Sequence, residues 1–119
     1  MIRMNLSTLV PLLLNYQVLF KLYHWQTRSY ARHKSSDELY DQVSDFLDQL
    51  VEYGTANTRL RIAPQQLDIH NMTDENAILF LEELCTIIEN IQTKDNGIRA
   101  RRDDLVGYIH KTIYLFRLL

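Results

Sequence analysis

The chain has 119 residues, 46% of them hydrophobic, with 3 Gly, 2 Pro and a formal net charge of −2. That is enough for one domain with a sizeable core. The near-balanced charge excludes a nucleic-acid partner held by the overall field, and the single Cys85 excludes an internal disulfide.

The scarcity of Gly and Pro argues against many short strands and for a few long helices, so an all-α fold is expected. The N-terminal MIRMNLSTLVPLLLNYQVLF carries an apolar run at 9–14, but Asn15, Gln17 and Lys21 follow it and no small-residue cleavage site appears, so a helix is read there. No apolar run approaches the roughly 20 residues that span a bilayer. A soluble, cytoplasmic protein in a reducing compartment is the resulting expectation.

In chain order, a first helix is predicted over about 6–31, with Leu9, Leu12, Leu13, Tyr16, Leu19, Phe20 and Tyr23 near the 3.6-residue period. Asn5 or Ser7 would cap it, and Pro11 falls in or just past the first turn, where a missing N–H costs least. A second helix is predicted from a Ser35 or Ser36 cap, with Asp37 and Glu38 in its first turn, to about Arg61. Its inward stripe is Leu39, Val43, Phe46, Leu47 and Leu50; Asp37, Asp41, Ser44, Asp48 and Glu52 share the opposite side. Residues 62–72 lack a period and read as a connection. A third helix, capped by Thr73 or Asp74 and running over about 74–93, turns Ile78, Leu81, Leu84, Cys85 and Ile88 inward. KDNG at 94–97 reads as a stop. A fourth helix starts between about 98 and 103 and runs to the end, with Leu105, Ile109, Thr112, Ile113 and Phe116 on one side. Short links make each outer pair an antiparallel hairpin. On length alone the middle link allows either a tight crossover along the bundle or an up-down-up-down arrangement.

Asp48 and Glu52 are i,i+4, so both carboxylates can approach one cation. Taken alone, such a pair is most often a solvated helix face, and His24 or His33 alone is most often packed or exposed. The set carries more information. Asp37 and Asp48 share an azimuth but lie 11 residues apart, about 16 Å along a helix axis, so one chain cannot close the site. A two-fold axis packing second helices antiparallel would bring the histidine end of one subunit onto the carboxylates of the other. Imidazole with carboxylates suits iron or manganese and also accepts zinc.

KLYHWQTRSYARHKSSDELYDQVSDFLDQLVE resembles the ferroxidase stretch of the Dps-like miniferritins, DNA-binding proteins from starved cells. It has a His-Trp pair, a second His followed by xxxD, and D-xxx-E eleven residues after that Asp. The C-terminal RDDLVGYIHKTIYLFRLL is similar to the family's last helix, with Lys111, Tyr114 and Phe116 at its aromatic-rich end. The overall pattern also resembles short ferritin-like proteins of large DNA viruses. The resemblance implies a single ferritin-like four-helix domain, two antiparallel hairpins joined by a crossover. It further implies a homo-oligomeric, twelve-subunit shell built from two-fold dimers. His24, His33 and Asp37 of one subunit, with Asp48 and Glu52 of its mate, would bind and oxidise iron(II) with peroxide or O2 and store the product.

Three features depart from the family pattern. The His24–His33 interval is three residues short, the link between second and third helices is short, and the Lys-rich DNA-binding tail is missing; Arg99, Arg101 and Arg102 form only a small patch. The shortened interval motivates a rival, a helical scaffold or assembly protein without the chemistry, and a shell binding Zn or Mn without turnover is a third reading. Trp25 and Tyr23 are expected to fill core or interface space, and Cys85 to be a small core residue. His70 and His110 show no partner pattern. No nucleophile elbow, phosphate loop or CxxC occurs.

Overall fold

The computed structural model describes residues 2–3, 5–54 and 59–118. It holds β1 (Ile2–Arg3), α1 (Leu6–Gln26), α2 (Tyr30–Gly54), α3 (Ala77–Glu89), β2 (Ile91–Gln92) and α4 (Asn96–Leu118). The expected all-α architecture of four helices is present, with one two-residue parallel ladder pairing Ile2 with Ile91 and Arg3 with Gln92.

Both hairpins are antiparallel. In the first, Gln17 of α1 donates to the Tyr40 carbonyl of α2, and Tyr23 accepts from Arg32. In the second, Cys85 meets His110 and Arg102 donates to the Ile91 carbonyl. α2 packs on α4 and α1 on α3, so the order around the bundle is α1, α2, α4, α3. The hairpins are therefore joined by a crossover. The end of α2 lies against the start of α1, where a Cβ on Gly54 would fall 2.7 Å from Leu6 Cδ1. The connection then climbs along α1, with Asp68 bound to Asn15 and Asn71 and Met72 to Gln26, before α3 descends parallel to α2.

The element boundaries depart from the sequence reading, each for a local reason. α1 ends at Gln26, not 31, because the chain turns at 27–29. Ser29 caps α2: its hydroxyl accepts from Arg32 N–H and its carbonyl from His33 N–H. Ser35 and Ser36 are thus buried inside the helix, bonding back to the Ala31 and His33 carbonyls, and Asp37 and Glu38 are not in the first turn. α2 stops at Gly54; of the stretch expected to be helical beyond it, 55–58 lie outside the described residues and 59–61 are non-helical. The shorter α2 lengthens the link and relieves the crossover of its tightness.

α3 begins at Ala77, after a turn in which Thr73 and Asn76 exchange side-chain-to-backbone hydrogen bonds, and it ends at Glu89 rather than 93. KDNG starts a helix instead of stopping one. Asp95 accepts the Ile98 N–H and its carbonyl accepts from Arg99, while a Cβ on Gly97 would crowd the capping Asp95 Oδ1 at 3.1 Å.

The core is one cluster drawn from all four helices. Every residue of the stripes at 39–50 and 105–116 is buried, as expected; on α1 Leu12 is instead exposed, and on α3 Ile78 is half-buried. At the hairpin end of α1 and α2, Arg32 is buried with its donors satisfied. It binds the Phe116 carbonyl twice, the Tyr23 hydroxyl and the Asp74 carbonyl, and its guanidinium lies 4.9 Å from the Phe116 ring. This residue fastens α2 to the last turn of α4, whose carbonyls have no intrahelical partner. Among the described residues, no helix is long and apolar enough to cross a membrane.

Candidate metal centre

The three-residue turn at 27–29 determines how His24 and His33 meet. Their rings stack at 3.8 Å between centroids and 17° between planes. Each ring also bonds to the other residue's backbone: His33 Nδ1 donates to the His24 carbonyl at 2.6 Å, and His24 Nδ1 to the His33 carbonyl. The His24 carbonyl lies in the unpaired last turn of α1, so His33 caps that helix. A carbonyl can only accept, so both Nδ1 atoms carry protons, which leaves Nε2 as the atom of each ring that can offer a lone pair to a metal. Backbone-fixed imidazoles of this kind are the usual arrangement of metal-binding histidines.

Asp37 stands one turn beyond His33 and is held by Lys21 at 2.9 Å. That ammonium keeps the Asp37 carboxyl below its ordinary range, with smaller contributions from His24 and His33. Lys21 itself lies near the faces of Tyr40 and Trp25. Asp48 and Glu52 are exposed further along α2 and do not reach the imidazoles within one chain. They rim an open groove of about 270 Å³ floored by Val10, Leu14, Leu47 and Val51. Trp25, expected in core or interface space, is 67% exposed and so is not in the core.

The second hairpin holds a group the sequence reading missed. Cys85 and Glu89 are one turn apart on α3, and His110 faces them from α4; their ligand atoms all lie within 4.8 Å of one another. Cys85 Sγ is 3.0 Å from Glu89 Oε1, to which it donates, and 3.4 Å from His110 Nε2. Burial, reinforced by Glu89, pushes the Cys85 thiol up to about 12. The neighbouring histidine therefore makes no activated thiolate nucleophile here. The i,i+4 spacing of Cys85 and Glu89 was legible in the sequence, but His110 was not, since its register on α3 depends on where α4 begins.

A cavity of about 530 Å³ between α1 and the crossover offers less chemistry. Several of its polar groups are engaged with one another: Tyr16 donates to Glu83, and Asn15 pairs with the Asp68 backbone. Of the small basic patch, Arg99 and Arg102 are engaged locally, with Asn96 and with Asp103 and the Ile91 carbonyl.

Residues 24–116 match the model of a family described as "Family of unknown function (DUF5856)". The chain belongs to that family. It is also 25% identical over 108 residues to a protein of Enterobacteria phage T4 described as "Uncharacterized 14.6 kDa protein in mobD-ri intergenic region", covering 90% of this chain and 84% of the relative. No solved structure matches. The span shared with DUF5856 opens on His24, so it leaves out most of α1 but takes in α2, α3, the histidine stack, Asp48, Glu52 and the Cys85 group.

Proposed function

We propose that this DUF5856 member is a ferritin-like, miniferritin-type protein whose iron site closes between two copies. His24, His33 and Asp37 of one copy would meet Asp48 and Glu52 of the other. The observation that carries this reading is the histidine stack, with both Nδ1 atoms tied to backbone and both Nε2 atoms available. The bundle order α1, α2, α4, α3 with a crossover supports the ferritin-like assignment, because an up-down-up-down bundle would place α4 beside α1.

The outer face of α1 and α2 supports the two-fold geometry. At about 100° per residue, Val10, Leu14, Lys21 and Trp25 share one stripe of α1, and His33, Asp37, Asp48 and Glu52 share one stripe of α2. Residue 18 lies midway between Trp25 and the Val10–Leu14 pair, and residues 41–42 midway between the histidine end and the carboxylates. Gln17 binds the Tyr40 carbonyl, so these two midpoints stand at nearly the same height. One axis there would seat each Trp25 on the other copy's apolar groove while each imidazole pair approaches the other copy's carboxylates. Iron(II) is the substrate. Two such ions would each give one electron to peroxide, which takes up two protons and leaves as two water molecules. The oligomer could extend to a shell that holds the ferric product. The T4 phage relative is in keeping with a virus-encoded protein acting inside the host cell.

The test is complementation. His33→Ala and Asp48→Ala variants each fail to oxidise iron(II) with peroxide, but coexpressed they form mixed dimers with one intact site, and oxidation returns in part. No recovery in isolated mixed dimers, or a parent protein that stays monomeric by sedimentation, rejects the reading.

One observation favours a second reading. Lys21 occupies Asp37, which suits an assembly protein that has the fold without turnover. Iron(II) or zinc(II) leaving the thermal stability of a Cys85→Ala variant unchanged would select that alternative.

A further inference from the structure

The α3/α4 hairpin carries its own donor set, independent of the reading above. We infer that Cys85, Glu89 and His110 form a binding site for a zinc-class divalent ion, linking α3 to α4 outside the histidine stack.

The argument rests on chemistry and geometry together. Thiolate, imidazole and carboxylate are the three ligand types zinc takes, and three protein ligands with one open position is a known arrangement for it. Ligands at about 2.0–2.3 Å from a tetrahedral ion lie about 3.3–3.8 Å from each other. The observed 3.0 Å from Sγ to Oε1 and 3.4 Å from Sγ to Nε2 are close to those separations, so small side-chain adjustments suffice. The donors come from two helices whose relative position is set by packing. Cys85 and Glu89 are one turn apart on α3, and His110 sits beside the buried Ile109 of α4. The thiol is buried, whereas Glu89 and His110 are exposed, which gives an ion a route in from solvent.

The open position has a defined setting. His110 borders a groove of about 340 Å³ whose other lining residues are Glu82, Ile113, Tyr114 and Arg117. Glu82 lies one turn before Cys85 and supplies a further carboxylate, or a water completes the shell. The thiolate is what separates this site from the proposed iron centre: soft sulfur favours zinc or cobalt, whereas imidazole and carboxylate alone suit iron.

Cobalt(II) makes the test specific, because Cys85 is the sole cysteine of the chain and only it can give a sulfur-to-cobalt charge-transfer band. Titrating the purified full-length protein should produce that band, saturating at one cobalt per chain and bleaching on addition of zinc. Outer-shell substitutions weaken metal sites by about 10- to 100-fold, so His110→Ala and Glu89→Gln, which remove ligands, should each weaken cobalt binding by at least about tenfold. Both positions are exposed, and circular dichroism confirms that the variants fold. His33→Ala should leave the band intact. No thiolate band at saturating cobalt, or a band of unchanged affinity in both His110→Ala and Glu89→Gln, overturns the site.

Discussion

The two hairpins bring side chains with metal-ligand chemistry together by different means. In α1/α2 a three-residue turn sets two like donors ring to ring, and the backbone fixes both. In α3/α4 three unlike donors converge from helices joined through the strand pair and the Asp95 cap, and side chain bonds to side chain. In the proposed iron centre the first arrangement is half a site, the carboxylates of Asp48 and Glu52 being exposed about 22 Å or more along α2. The second needs no second copy. Within one bundle, a short turn can fix local geometry yet leave a site incomplete, whereas helix packing can complete one from residues far apart in sequence.

The largest expected effect tests what anchors the first hairpin. Arg32→Met should cost about 3 kcal/mol in urea unfolding, since it leaves the Phe116 carbonyl and Asp74 without their buried partner. A loss under about 1 kcal/mol would show that the histidine end holds without it.

Metal selectivity sharpens the contrast next. His33→Ala should abolish iron oxidation and keep the cobalt–thiolate band, whereas Cys85→Ala should do the reverse. Loss of both properties in either variant would mean that the hairpins are not separate centres.

Helix caps give a smaller effect. Ser29→Ala and Asp95→Ala should each cost about 1 kcal/mol, but only Asp95→Ala should also weaken cobalt binding, because that cap sets the start of the helix carrying His110. Equal cobalt affinity in the two would detach the site from the α4 cap.

The smallest effect is a pH dependence at Asp74. The Tyr23 hydroxyl bound to it is the main cause that holds its carboxyl below the ordinary range, with Thr27, the Arg28 backbone and Arg32 adding to this. A depressed folded-state value gives stability that is present above the unfolded value, about 3.9, and lost as pH falls through the folded one. Thermal melts should therefore find Asp74→Asn less stable than the parent at neutral pH, with the gap closing below about pH 4. A gap that stays constant on acidification would remove Asp74 from the electrostatics of this end.

The sequence by itself determined the number of helices, the inward stripes of α2 and α4, and the antiparallel pairing of neighbours, because apolar periodicity and short links act locally. It also showed the i,i+4 carboxylates and the impossibility of joining Asp37 to Asp48 within one helix. It misjudged the helix ends, since Ser35 and Ser36 have cap chemistry but lie where α2 is buried and bond back to its own carbonyls. Only the tertiary structure decided which way the connection runs and which residue of α4 faces Cys85. Both depend on side chains packing across the bundle, where moving a helix start by a few residues changes which donor faces inward.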